Sequence, residues 1–146
     1  FGPDGSLWIG QNSHGWLGDQ GIQRIAFTGK QPADIYSMNL TEKGFDLTFT
    51  QPLDISTATD IVNYKFSSYY YQYHSKYGSD QMDVNTIPVT KVEISNDRKK
   101  ISLTLSSLKA GYVYELSLGT IKTSNGDDLA NKIICYTLNK LKSGTF

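Results

Sequence analysis

Apolar side chains recur at every second position in several short stretches of this chain, and nowhere do they sustain the 3.6-residue period of a long helix. Phe45, Leu47 and Phe49 alternate with Asp46, Thr48 and Thr50, which predicts a half-buried strand ending at Pro52. Ile101, Leu103 and Leu105 repeat the pattern against serine and threonine, and Tyr112, Tyr114, Leu116 and Leu118 repeat it around Val113 and Glu115. Residues 89–95 alternate likewise, and the polar segment from Ser95 to Lys100 joins them to 101–106 as a predicted β-hairpin. Ile35 to Leu40 is the expected first strand of this series. Ile133 to Leu138 is the last, preceded by a turn in which Gly126 supplies a positive φ. A strand beginning at Tyr64 brings the count to about seven. One short helical turn is expected at Thr57-Ala58-Thr59-Asp60, which has the shape of a capping box.

Turn signals roughly every 8–12 residues between short strands make the fold class all-β, an immunoglobulin-like antiparallel β-sandwich of about seven strands. Ahead of it, Phe1-Gly2-Pro3-Asp4-Gly5-Ser6-Leu7-Trp8-Ile9-Gly10 reads as a strand end, a tight turn preset by Pro and Asp-Gly, and a second strand. Residues 1–30 are therefore expected to be the closing hairpin of a neighbouring β domain. Gly29 and Pro32 punctuate the junction, so 31–141 form the sandwich and 142–146 a tail or linker.

A chain of 146 residues has room for one ordinary domain and a short appendage, not for two large domains. Its 14 basic and 14 acidic residues cancel, which argues against nucleic acid as a partner. No run approaches the roughly 20 apolar residues that span a bilayer, so no membrane insertion is expected. Cys135 is the only cysteine; it excludes an intrachain disulfide and reads as a small buried hydrophobe in a β-prone run. Ten tyrosines are the compositional outlier.

Five of the ten lie within residues 69–77, in the run Tyr69-Tyr70-Tyr71-Gln72-Tyr73-His74-Ser75-Lys76-Tyr77. In an extended strand Tyr69, Tyr71 and Tyr73 share a face while Tyr70 and His74 point elsewhere. Tyr69, Tyr71, Tyr73, His74 and Tyr77 are thus a candidate surface for an interdomain contact, preferred here, or for stacking on a glycan. The two histidines, His14 and His74, lack a second ligand at metal spacing, and no Gly-x-Ser-x-Gly turn is present. Asp80, Asp83, Asp127 and Asp128 read as turn carboxylates and not as a calcium loop. Gly15, Gly18 and Gly21 are spaced like a phosphate loop, but no helix pattern follows them. Trp8 and Trp16 are expected to fold back on the sandwich or to meet another copy of the chain. No catalytic residue, metal or cofactor is assigned.

Phe49 to Thr59, Asn63-Tyr64, Val92 to Leu105, Leu108-Lys109-Ala110-Gly111-Tyr112-Val113-Tyr114-Glu115-Leu116 and Gly126-Asp127-Asp128-Leu129 together resemble the bacterial Ig-like domain of surface-layer and secreted proteins. The resemblance covers roughly residues 33 to 139. The first ten residues and Gly21-Ile22-Gln23-Arg24-Ile25-Ala26-Phe27 resemble the last blade of the β-propeller in secreted sugar or sorbosone dehydrogenase-like proteins. No Cys-x-x-Cys-His occurs, so haem attachment is not carried over. The resemblance implies a non-catalytic accessory or spacer domain, exported to the periplasm, the cell surface or the medium, with the neighbouring domains of its parent as partners. Its alternatives are a carbohydrate-binding module, or a structural part of a sugar dehydrogenase-like or carbohydrate-active enzyme whose active site lies upstream.

Overall fold

The computed structural model describes residues 1–11 and 21–142. His14, Gly15, Trp16 and Gly18, and most of the expected tail, lie outside the described residues. The backbone divides after Gln31 into two units.

In the first unit, β1 (Leu7–Gln11) pairs antiparallel with β2 (Gly21–Ile25), Leu7 opposite Ile25 and Gln11 opposite Gly21. The turn before β1 is built as its composition requires. Pro3 and Asp4 occupy the central positions, the N–H of Gly5 donates to the carbonyl of Gly2 at 2.9 Å, and Gly5 takes a φ of 75°. The Asp4 carboxylate accepts the backbone N–H and the hydroxyl of Ser6 and pairs with the guanidinium of Arg24, which also lies over the Trp8 ring. The Ser6 and Arg24 donors hold the Asp4 carboxyl down at about 2.

The second unit is the sandwich. One sheet has the order β3 (Ile35–Leu40), β4 (Gly44–Phe49), β8 (Lys100–Leu105), β7 (Val89–Ile94); the other has β10 (Ile133–Leu138), β9 (Tyr112–Leu118), β5 (Tyr64–Tyr71), β6 (Gln81–Ile87). Every pairing is antiparallel. In immunoglobulin nomenclature these are A-B-E-D and G-F-C-C′, which bears out the predicted sandwich class. The strand absent from the expectation is β6. Its residues are exposed on both faces apart from a half-buried Ile87, so it leaves no apolar period in the sequence.

The inward positions of the two sheets meet at Phe45 of β4. Its ring stacks on Phe66 of β5 at 5.6 Å and lies 5.6 Å from Tyr114 of β9 and 5.2 Å from Tyr136 of β10. One residue of the first sheet thus touches three strands of the second. Leu47, Ile101, Leu105, Leu116 and Leu138 are fully buried in the same core.

Between β4 and β5 the helical turn starts earlier than the sequence suggests. Helix α1 spans Ile55–Ala58, and its N-cap is Asp54, whose carboxylate accepts the N–H of Thr57 at 2.9 Å. Asp60, expected to close a box begun by Thr57, instead caps a separate 3₁₀ turn at Ile61–Asn63. Aspartate outcompetes threonine here because each carboxylate faces the free amides of its own short turn. Asn63 then ties helix to sheet: its amide donates to the carbonyl of Thr57 at 2.8 Å and accepts the N–H of Thr120 at 3.0 Å.

Candidate functional site

The tyrosine run occupies the end of β5 and the loop 72–80 that leads to β6. The structure distributes it over two faces of one sheet and a loop. Tyr69 and Tyr71 lie on the outer face, edge to face with ring centroids 5.4 Å apart. Tyr69 is buried there, and its hydroxyl donates to the Glu115 carboxylate of β9 at 3.3 Å. Burial, the Tyr71 hydroxyl and the neighbouring charges push the Tyr69 phenol well above its ordinary value. Tyr70 faces inward, edge-on to Tyr112 at 5.5 Å.

Tyr73 lies beyond the end of β5, which stops at Tyr71, so the structure sets it in the loop and not on the face of Tyr69 and Tyr71. Tyr73 and Tyr77 are fully exposed, and Tyr71 is half-exposed. His74 is exposed beside them, its Nδ1 accepting the N–H of Lys76 at 3.1 Å. The Ser79 hydroxyl closes the loop by accepting the N–H of Gln72 at 2.9 Å. Of the five candidate residues, then, the structure brings Tyr69 and Tyr71 together on the sheet and sets Tyr73, His74 and Tyr77 around the same hairpin tip.

A second grouping, marked by no sequence motif, lies on the inward side of the same sheet end and includes Asp83, which sits within β6 and not in the turn that the sequence suggests. Between Ser68 and Tyr70 the β5–β6 register shifts, so that two residues of β6 oppose Tyr69, and Asp83 takes a φ of 50°. From there its carboxylate accepts the Tyr112 hydroxyl at 2.6 Å, and Tyr112 in turn accepts the ammonium of Lys109 at 2.7 Å. Lys109 also lies 4.4 Å from the centre of the Tyr112 ring. The Tyr112 and Asn85 donors and the Lys109 charge hold the Asp83 carboxyl below its usual range, and the Tyr112 hydroxyl raises Lys109. Both ends stay charged at neutral pH. These side chains, with Ser68 and Asn85, line an open polar cleft of about 310 Å³. The arrangement offers hydrogen bonds to a polar guest, while the ion pair spends its own charges internally. No spacing rule joins Asp83 to Lys109, because the bulge that orients Asp83 is a tertiary feature.

Cys135 corrects the sequence reading: it is exposed on the outer face of β10, not buried. Ile134, Tyr136 and Leu138 take the inward positions, and strict alternation sends Cys135 outward. Desolvation of the sulfur against the sheet and the Glu115 carboxylate nearby push its thiol up, away from the reactive thiolate. Asp128 is held by Lys122 at 2.8 Å, and Gly126 has a φ of 88°, as the turn reading expects. Among the described residues no three His, Cys, Asp or Glu side chains converge as a metal site, and no helix is long and apolar enough to cross a membrane.

Comparison with known proteins places the fold. No family model matches the chain, and no curated protein matches it. Solved structures do. The bacterial surface-layer protein SbsC is similar in a structure of its domains 1–6 (TM-score 0.58, 20% identity, 77% of this chain and 14% of that one). It is similar again in a structure of its N-terminal part (TM-score 0.57, 21% identity, 75% of this chain and 24% of that one). The chain therefore spans between a seventh and a quarter of the length of these structures. What they share with it is the β-sandwich fold.

Proposed function

We propose that this chain is a non-catalytic spacer or accessory domain of a multidomain protein exposed at a bacterial cell surface, and that it holds neighbouring domains at a set distance. The observation that carries the reading is the likeness to domains of a surface-layer protein, in which a sandwich of this kind is one module among several. The fold is mechanically suited to such a role, since Phe45 bridges the two sheets, and Asn63 and Thr123 are buried polar ties at the α1 end. The exposed rings of Tyr71, Tyr73 and Tyr77 and the imidazole of His74 are the proposed contact to a neighbouring domain. The hairpin β1–β2 is read as a piece of an adjoining β domain, the last blade of a propeller. Ile22 and Phe27, both about three-quarters exposed, are the side chains such a domain would cover.

Amide exchange tests this role. Residues 71–80 and 21–27 are expected to exchange freely in the isolated chain and slowly in a longer protein that carries its adjoining domains. Equal exchange in both removes the interdomain reading.

A second reading makes the hairpin tip a carbohydrate-binding surface, favoured by two fully exposed tyrosine rings beside a histidine. Titration with oligosaccharides, followed by the NMR signals of Tyr71, Tyr73 and Tyr77, separates the two. Saturable shifts select the glycan reading, and their absence at millimolar ligand selects the spacer. A third, in which the chain is a structural part of a sugar dehydrogenase-like enzyme, rests on the resemblance of the hairpin alone. It requires activity that appears only in the longer protein.

A further inference from the structure

Each sheet of the sandwich ends in two edge strands, β10 and β6 on one, β3 and β7 on the other. An open edge is a template for pairing with another chain, and proteins blunt it with charge, proline or a bulge. Three of these edges are blunted. The register of β3 shifts between Ile35 and Ser37; that of β7 shifts between Val89 and Lys91, beside the charges of Lys91 and Glu93. β6 is interrupted at Asp83. β10 carries no such device: Ile133-Ile134-Cys135-Tyr136-Thr137-Leu138 is free of charge, proline and glycine and pairs with β9 in unbroken register.

The parity of that pairing decides which groups are open. The N–H of Leu118 donates to the carbonyl of Lys132 at 2.7 Å, so the alternating ladder turns the backbone groups of Ile134 and Tyr136 toward β9. Those of Ile133, Cys135 and Thr137 face the open edge. Their side chains are also exposed, on the outer face. Among the described residues no further strand pairs there.

We propose that a second copy of this chain occupies the edge, β10 pairing antiparallel with its counterpart about a two-fold axis at Cys135. The strand is complementary to itself under that rotation. Cys135 meets Cys135 as a hydrogen-bonded pair, Ile133 meets Thr137 and Ile134 meets Tyr136, so no like charges oppose one another. The flanking Lys132 falls opposite Leu138, and Lys140 opposite Ala130. With 14 charges of each sign, the two copies carry no net charge to repel each other. The pairing stands on strand chemistry and is independent of the spacer role.

Sedimentation velocity of the full chain over a concentration series is expected to show a monomer–dimer equilibrium. A short bismaleimide should join the Cys135 thiols, the only ones present. Amide exchange at Ile133, Cys135 and Thr137 should slow as concentration rises. Cys135→Lys sets two ammonium groups face to face and should abolish the dimer. Cys135→Ser should retain it, and Thr90→Lys, on β7, should leave it unchanged. Both positions are exposed, and circular dichroism checks that the variants fold. A chain that stays monomeric at concentrations on the order of millimolar overturns the pairing. So does a dimer that survives Cys135→Lys, or one whose exchange protection lies on β1–β2 instead of β10.

Discussion

The backbone N–H of Lys109 donates to the phenol oxygen of Tyr114 at 2.7 Å, which pins the β8–β9 connection to the strand it feeds. Gly111, at a φ of 86°, makes the reversal between them. This is the corner tyrosine of Greek-key sandwiches, with its ring in contact with Phe45 and its hydroxyl on an upstream amide. Tyr114→Phe keeps the ring and strands the Lys109 amide, so it should cost about 1–2 kcal/mol. Urea unfolding should show a lower midpoint with an unchanged slope. An unaltered midpoint would mean that water replaces the phenol without loss.

Gly44 admits no side chain. A Cβ built there would lie 1.9 Å from the carbonyl oxygen of Leu103, on the strand β8 that β4 pairs with. Gly44→Ala must push the two central strands of the first sheet apart, and a loss of several kcal/mol or failure to fold is expected. Gly10→Ala is the matched control, because nothing lies within 4 Å of its added methyl. Soluble yield and thermal midpoint of the two variants should differ sharply.

Burial holds the phenols of Tyr64, Tyr69 and Tyr114 above their ordinary value, so they bind their protons more tightly in the folded chain than in the unfolded one. Their contribution to stability is whole below the unfolded tyrosine value, near 10, and is lost as pH rises toward the folded values. Alkaline titration by ultraviolet absorbance should therefore leave some of the ten tyrosines un-ionised near pH 10.5 until the chain unfolds. In denaturant all ten should ionise together.

The carboxyls of Asp54 and Asp97 are shifted the other way. Ser56 and the Thr57 amide hold Asp54 down, and Ser95 and the Lys99 amide hold Asp97 down. Such groups add stability above their unfolded value, near 4, and lose it as pH falls through the lowered folded values. The thermal midpoint should drop below about pH 4. Asp54→Asn, which still caps α1, should flatten part of that acid limb while leaving the midpoint at neutral pH nearly unchanged.

Much of the sandwich is legible in the sequence because its strands are amphipathic. Ile35–Leu40 and Ile133–Leu138 carry bounds that the alternation predicts, and the hairpin of β7 and β8 follows from the polar turn at 95–100. β6 is not legible. An edge strand open to solvent needs no apolar period, and only its pairing with β5 makes it a strand. The cap of α1 is misplaced by sequence reasoning for a related cause: Asp54, Thr57 and Asp60 are all plausible caps, and the chain path decides which carboxylate meets a free amide.

The candidate surface divides along the same line. The density of tyrosine at 69–77 and the lone cysteine at 135 are facts of the sequence, and so is the parity that sets Tyr70 apart from Tyr69 and Tyr71. Which rings are buried is not. Tyr69 is covered because Glu115 of β9 and Tyr71 close over it, and Tyr112 meets Asp83 because a bulge turns β6 toward it. Local alternation determined the amphipathic strands and the sheet class, since burying one face of a strand is a property of neighbouring residues. Partners, edges and exposure were decided by the tertiary structure, since they depend on which distant strands the chain brings alongside.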